Sequence, residues 1–273
     1  MKTSNPVLSR LGQAAERERA AGHAPAGAYG QPGYGQPYPT DAGYPAAPPT
    51  VTPMSIDDVV VKTVTLLGIT GLSAALAWVL VPDALVGAAW IGAAVVGLVL
   101  GLVISFMRMA NPALVVTYAV VEGVFVGMVS KFFESFLGHD GIVLQAVIAT
   151  FGVFFLMAGL YKAKVIRATP KFVRGVIAAT VGIFAVILIN FVLALFGIET
   201  GLRSGGPVAI GFSLICIVIA SLSFILSFHE VEEGVRMGLP SRYSWTAAFG
   251  ILVSLVWLYI EILRLLSYFQ GDD

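Results

Sequence analysis

The amino-acid sequence predicts an all-α polytopic membrane protein: a seven-transmembrane-helix bundle preceded by a disordered tail. Two observations predict this class. Apolar residues make up 58% of the 273 residues and charged residues only 12%, too little charge to cover the surface of a soluble domain. In addition, seven apolar runs of about 20 residues, the length that crosses a bilayer as a helix, follow one another after residue 58.

The seven runs are separated by short connections, which restrict how they pack. Pro82 and Asp83 separate the first two runs, and residues 108–111 separate the next pair. Because short links make consecutive helices run antiparallel, residues 57–273 are predicted to form one compact transmembrane domain. The runs cover residues 59–81, 84–106, 112–129, 142–160, 176–196, 208–228 and 245–266.

Small residues indicate where helices approach each other closely. Gly97 and Gly101 in the second run, and Gly123 and Gly127 in the third, form GxxxG pairs. Such pairs permit close contact between helix backbones. We expect them to mediate packing within one chain.

Residues 1–56 differ in composition from the rest. Eight prolines lie between Pro25 and Pro53, and the tetrapeptide Tyr-Gly-Gln-Pro occurs at 29–32 and again at 34–37. A segment of this kind buries too little apolar surface to offset the entropy lost on ordering, so it is predicted to be disordered. It also lacks the apolar stretch of a cleavable signal peptide.

Lysine and arginine near the membrane predict the orientation. With a cytoplasmic N-terminus, nine of them lie on the cytoplasmic side and three on the other, a strong positive-inside bias. We therefore expect a multi-pass protein of the cell inner (plasma) membrane with its N-terminus in the cytoplasm. The nine are Lys62, Arg108, Lys162, Lys164, Arg167, Lys171, Arg174, Arg236 and Arg242, and the three are Lys131, Arg203 and Arg264.

Several classes of function are excluded by what the chain contains. Its net charge of zero provides no field to attract nucleic acid. The single cysteine, Cys216, forms neither an intrachain disulfide nor a cysteine-based metal cluster. His229 and Glu230 open a zinc-protease pattern, but position 233, which needs a second histidine, is a glutamate. We therefore predict no enzyme, no catalytic residue and no cofactor.

The last apolar run contains an acidic residue, Glu261. A carboxylate in hydrocarbon costs several kcal/mol unless it is paired, hydrated or protonated, so such residues mark ion or proton paths by default. Gly250, Ser254, Arg264 and Tyr268 share its helix face, which should point into the bundle. Glu261 and Arg264, three residues apart, can also pair with each other, and then serve packing alone.

The third run contains a second acidic residue, Glu122, one turn after Tyr118. No cationic residue lies within four positions of it in the sequence. A carboxyl group in this setting serves either as a proton or cation relay or, in its neutral form, as a hydrogen-bond donor to a neighbouring helix. Both interpretations remain open.

The sixth run ends in the densest acidic cluster of the chain, His229-Glu230-Val231-Glu232-Glu233. It is predicted either to bind cations, to sense pH through His229, or to be a solvated helix end. Arg108, after the second run, is expected on the same side of the membrane. It acts there either as a latch on this cluster or as a positive-inside anchor.

These residues resemble the Bax-inhibitor (transmembrane Bax-inhibitor-motif, YccA-like) family of bacterial-type membrane proteins, over residues 59–267. The most specific element is the stretch LVWLYIEILRLL at 255–266, which is similar to the family's Leu-Tyr-Leu-Asp pattern with Glu261 at the acidic position. Glu122-Gly123 and the Phe106-Met107-Arg108 end of the second run also look like the family.

The resemblance implies a seven-helix bundle with the last helix central, surrounded by the other six. The implied activity is a pH-sensitive calcium leak, gated by an acidic pair on helices six and seven and latched by an arginine. Carried over, Glu261 is one gate residue and pH sensor, and Arg108 is the latch. His229 aligns with the second gate position, whereas the helical stripe favours Glu230, and both assignments remain open. Glu261 and Glu230 are then the expected calcium ligands.

Two functions of different classes follow. The first is a calcium leak channel with the lipid bilayer, calcium and protons as partners, with proton-coupled cation transport as a variant. The alternative is a non-transporting membrane regulator or adaptor, which binds a membrane protease or another membrane partner through the tail.

Overall fold

The computed structural model describes residues 52–107, 110–138, 140–197, 201–202 and 206–270. The chain divides into two units, Met1–Pro49 and Thr50–Asp273, and the described residues belong to the second. Residues 1–51 of the predicted tail lie outside the described residues. The helices are α1 (Ile56–Leu80), α2 (Val86–Phe106), α3 (Pro112–Lys131), α4 (Ile142–Lys162), α5 (Pro170–Leu195), α6 (Pro207–Arg236) and α7 (Tyr243–Gln270).

The seven described helices are all long and apolar enough to cross a membrane, which confirms the predicted class. Their outer faces carry large exposed apolar side chains such as Val79, Ile91 and Phe155. A surface of this kind suits lipid and not water. The protein is a multi-pass membrane protein. We call the end of the bundle at which α1 begins the N-face, and the end at which α7 ends the C-face.

Side-chain caps determine where two of the helices begin. The Ser55 hydroxyl accepts a hydrogen bond from the backbone N–H of Asp58 at 3.1 Å, so α1 begins three residues before the predicted apolar run. The Asn111 side chain likewise accepts from the N–H of Ala113 at 3.0 Å, and Pro112 occupies the first turn of α3. Both caps supply partners for backbone donors that a helix leaves unpaired.

Helix α6 is longer than its apolar run. The run ends at residue 228, but the helix continues to Arg236 and includes the acidic cluster at 229–233. Glutamate and arginine are good helix formers, so charge ends the hydropathy signal here without ending the helix. Helix α3 also continues, as a π-helix over Phe132–Phe136.

Helix α7 is the centre of the bundle, as the resemblance predicts. It is the most buried of the seven, with 56% of its apolar window inside the protein against 11% for α5. It packs directly against α1, α3, α4 and α6. Its contact with α5 includes the rings of Phe184 and Trp257, whose centroids lie 5.2 Å apart. The residues of α7 are therefore those most shielded from lipid.

The GxxxG glycines pack within the chain, as predicted. A Cβ atom placed on Gly123 would lie 2.5 Å from the carbonyl oxygen of Thr70, and one on Gly127 would lie 2.5 Å from that of Ala74. A real Cβ atom does not come this close to a carbonyl oxygen, so only glycine fits at these two positions, and α1 and α3 touch backbone to backbone. The second pair, on α2, faces side chains of α3.

A short strap at the N-face joins the chain before α1 to the link between α6 and α7. The Met54 N–H donates to the Leu239 carbonyl at 2.7 Å, and the Ser241 N–H donates to the Thr52 carbonyl at 2.9 Å. These antiparallel bonds hold the start of the described chain against the start of α7.

Candidate functional site

Glu261 lies at the centre of the bundle and is paired within its own helix. Its exposed fraction is 1%, and Nη1 of Arg264 lies 2.9 and 2.8 Å from its two carboxylate oxygens. The spacing of three residues places the two side chains on one face of α7. The intrahelical pair predicted from the sequence is therefore formed, and it neutralises the buried carboxylate.

A large cavity lies on one side of this pair. Its volume is about 1410 Å³, and residues of α2, α3, α5 and α7 line it. Of the stripe predicted on the last helix, Gly250, Glu261, Arg264 and Tyr268 line the cavity. Ser254 instead contacts α6, where its hydroxyl accepts from that of Ser223 at 3.3 Å. The stripe thus faces the bundle interior, as predicted, but is divided between a cavity and a helix contact.

Glu122 of α3 lines the same cavity. Tyr118, one turn earlier on the same helix, lines the cavity beside it. On the other side α2 presents Gly97, where a Cβ atom would come within 3.1 Å of the Glu122 Oε2 atom. Glycine at this position leaves room for the carboxyl group between α2 and α3.

The two carboxyl groups of the cavity lie at different depths. Tyr118 packs on Phe249, with ring centroids 5.0 Å apart, and the hydroxyls of Ser130 and Tyr259 lie 2.6 Å apart. These contacts show that α3 and α7 run parallel and in register. Glu122 lies eight residues before Ser130 on α3, and Glu261 lies two residues after Tyr259 on α7. At about 1.5 Å per residue, they are separated by about 15 Å along the bundle.

The structure does not bring Glu261 and Glu230 together. Helices α6 and α7 are antiparallel, and the contact between Ser223 and Ser254 sets their register. Glu230 and Glu261 each lie seven residues from this contact, in opposite directions. At about 1.5 Å per residue, about 21 Å separates them along the bundle. The gate and calcium site expected across helices six and seven, with Glu230 or the adjacent His229, is therefore not formed in this arrangement.

The acidic cluster of α6 points in several directions. The Tyr161 hydroxyl of α4 donates a hydrogen bond to Glu232. Glu233 pairs with Arg236 at 2.6 Å, and Glu230 is exposed. Over the described ranges, no three His, Cys, Asp or Glu side chains are grouped closely enough to hold a metal ion. The predicted latch, Arg108, lies outside the described residues.

Sequence reasoning missed a polar cluster at the N-face. Lys62 Nζ lies 2.7 Å from Asp58 Oδ2 and donates to the Ser241 carbonyl at 3.0 Å. The Ser244 hydroxyl donates to the same Asp58 oxygen at 2.6 Å, and Lys62 also lies over the Trp245 ring. The spacing of Asp58 and Lys62 by four residues was the available signal. The cluster joins α1 to the start of α7.

A second missed contact lies at the C-face. Lys131, at the end of α3, pairs with Asp83 at 2.8 Å and donates to the Val81 carbonyl at 2.9 Å. Only 9% of Lys131 is exposed. The side chain holds the link between α1 and α2 against α3.

The fold and site define a class: a multi-pass α-helical membrane protein in which buried Glu261 and part-buried Glu122 and Arg264 line one cavity that is partly open at the surface of the bundle. A family model for Bax inhibitor 1 like proteins matches residues 5–271, and the chain belongs to that family. The match confirms the resemblance carried by residues 59–267 and extends it over most of the tail, which the motifs alone do not cover. A comparison with curated proteins finds no match.

Proposed function

We propose that this protein is a pH-sensitive cation leak across the inner membrane, with calcium as the transported ion and Glu261 as the gating carboxylate. The observation that carries the proposal is a single cavity, partly open at the surface of the bundle, whose walls include both Glu122 and the pair of Glu261 with Arg264. Ionisable side chains that face a cavity inside a membrane bundle are typical of ion and proton paths. The proposal includes no enzymatic activity and no cofactor.

Arg264 supplies a latch on the gate. Calcium prefers carboxylate oxygens as ligands, but both oxygens of Glu261 lie within 2.9 Å of the Arg264 guanidinium. A cation can therefore bind the Glu261 carboxylate only when the Arg264 side chain moves away from it. Protonation of Glu261 removes the charge that attracts either partner, so acid lowers the affinity of the site for calcium.

The proposed path has two stations. With the N-face in the cytoplasm, as the excess of lysine and arginine predicts, Glu122 is the inner station and Glu261 the outer one. Glu122 serves as the relay expected from the sequence. His229 and Glu230 form a separate group at the N-face, about 21 Å from Glu261, and the proposed gate does not include them.

Calcium flux into liposomes that contain the purified full-length chain tests this function. Wild type is compared with Glu261→Gln and with Glu230→Gln, a matched change on the neighbouring helix, at several pH values. We expect pH-dependent flux in wild type and in Glu230→Gln, and loss of the pH dependence in Glu261→Gln. Arg264→Lys, which keeps the charge but loses the planar guanidinium, should raise the flux because the latch is weaker.

Two results would change the proposal. If no variant gives flux above empty liposomes at any pH, the leak function is wrong, and the adaptor alternative replaces it. In that case deletion of residues 1–51 should abolish capture of the membrane partner. If Glu230→Gln alone abolishes the pH dependence, the sensor lies in the N-face cluster and not at Glu261.

A further inference from the structure

Glu122 differs from Glu261, the other acid of the cavity, in its lack of a counter-ion. Glu261 has Arg264, whereas none of the ion pairs among the described residues includes Glu122. Its described polar neighbour is the neutral hydroxyl of Tyr118. The two carboxylates and one guanidinium that line the cavity leave it one negative charge in excess when both acids are ionised. The cavity therefore favours a cationic occupant over an anionic one.

The walls around Glu122 are aromatic. Nine of the lining residues carry aromatic rings, among them Trp90, Phe125, Phe249 and Trp257. Ring faces attract cations, most strongly where water is excluded. The indole N–H of Trp257 has no hydrogen-bond partner among the described residues. These walls offer dispersion and cation–π contact but few oxygen ligands.

This chemistry distinguishes between kinds of cation. Calcium needs six to eight oxygen ligands to replace its hydration shell, and one carboxyl group with a tyrosine hydroxyl does not supply them, so calcium would pass Glu122 largely hydrated and would not be held there. An organic cation with delocalised or shielded charge is weakly hydrated and loses little on entering an apolar space. The cavity volume of about 1410 Å³ also exceeds the few hundred Å³ that a drug-sized ligand requires.

We propose that the cavity beside Glu122 binds lipophilic organic monocations, with the Glu122 carboxylate as counter-ion and the aromatic side chains as walls. Gly97 and Gly101 of α2 keep this part of the cavity open, because any side chain there would enter the space next to Glu122 and Tyr118. The site does not depend on calcium conduction. Binding without calcium flux would keep this proposal and remove the previous one.

The test uses the full-length chain in lipid nanodiscs and tetraphenylphosphonium as the probe, with binding measured by equilibrium dialysis against empty nanodiscs. Tetraphenylborate, which has the same shape and the opposite charge, is the matched control ligand. We expect saturable binding of the cation and none of the anion above empty nanodiscs. Equal binding of both ions would show an apolar groove that takes lipid chains, and absence of cation binding would equally overturn the proposal.

Variants then locate the site. Glu122→Gln should weaken tetraphenylphosphonium binding by about tenfold or more, the effect of losing one desolvated charge contact, whereas Glu230→Gln should leave it unchanged. Unchanged binding in a folded Glu122→Gln protein would overturn the assignment. If that variant does not fold, a photoactivatable aryl-azide phosphonium is crosslinked to wild type. Labelled peptides from α2, α3, α5 or α7 support the site, and labels confined to α1, α4 or α6 overturn it.

Discussion

Replacement of Gly127 by alanine should separate α1 from α3. The new Cβ atom would lie 2.5 Å from the carbonyl oxygen and 2.9 Å from the Cα atom of Ala74. Both atoms belong to the α1 backbone, so no side-chain rotation relieves the overlap and the helix itself must move. Overpacking of this kind lowers the free energy of unfolding by about 1–3 kcal/mol, and the higher helix propensity of alanine offsets up to about 1 kcal/mol of this loss. We expect a net loss of about 2 kcal/mol because the obstacle is backbone.

Unfolding by a denaturing detergent, followed through tryptophan fluorescence and circular dichroism, measures this loss. Gly152→Ala is the matched control, because Gly152 lies within α4 and an added Cβ atom there would meet no other atom within 4 Å. The control should be neutral or stabilising. If Gly127→Ala unfolds at the same detergent fraction as wild type, the close approach of α1 and α3 is incorrect.

Three further variants address the buried polar contacts. Arg264→Gln leaves the carboxylate of Glu261 buried without a counter-charge and should lower the free energy of unfolding by about 3–5 kcal/mol, with partial recovery in the double variant that also carries Glu261→Gln. Ser130→Ala removes the 2.6 Å hydrogen bond to Tyr259 and should cost about 1 kcal/mol in the same unfolding assay. Asp58→Asn removes the charge that Lys62 pairs with, and limited proteolysis should then cleave the N-face strap faster than in wild type; equal cleavage rates would show that the strap does not depend on this pair.

The helices could be predicted from sequence because hydropathy depends on composition alone. Their ends could not, since His229 and Glu230 end the apolar run without ending α6. The pairing of Glu261 with Arg264 was predictable, because residues three apart in one helix are neighbours whatever surrounds them. The shared cavity of Glu122 and Glu261 was not, because it depends on the register between two helices that are distant in sequence.

The separation of Glu230 from Glu261 is a different case. The link at 237–242 reverses the chain. The depth of a residue on α6 or α7 therefore increases with the number of residues between it and this link. Glu230 lies close to the turn, whereas Glu261 lies 18 residues beyond the start of α7. The rise per residue alone places the two at different depths. The shared gate was expected from the family resemblance, whereas the lengths of the two helices place its residues at different depths.

The strap at the N-face has a mechanical consequence. Because Thr52 and Met54 are bonded to Ser241 and Leu239, tension applied to the chain upstream of residue 52 acts on the turn before α7. While these two bonds hold, such a pull is shared between α1 and the turn before α7. A protein attached to the N-terminal segment would therefore act also on the helix that carries Glu261 and Arg264.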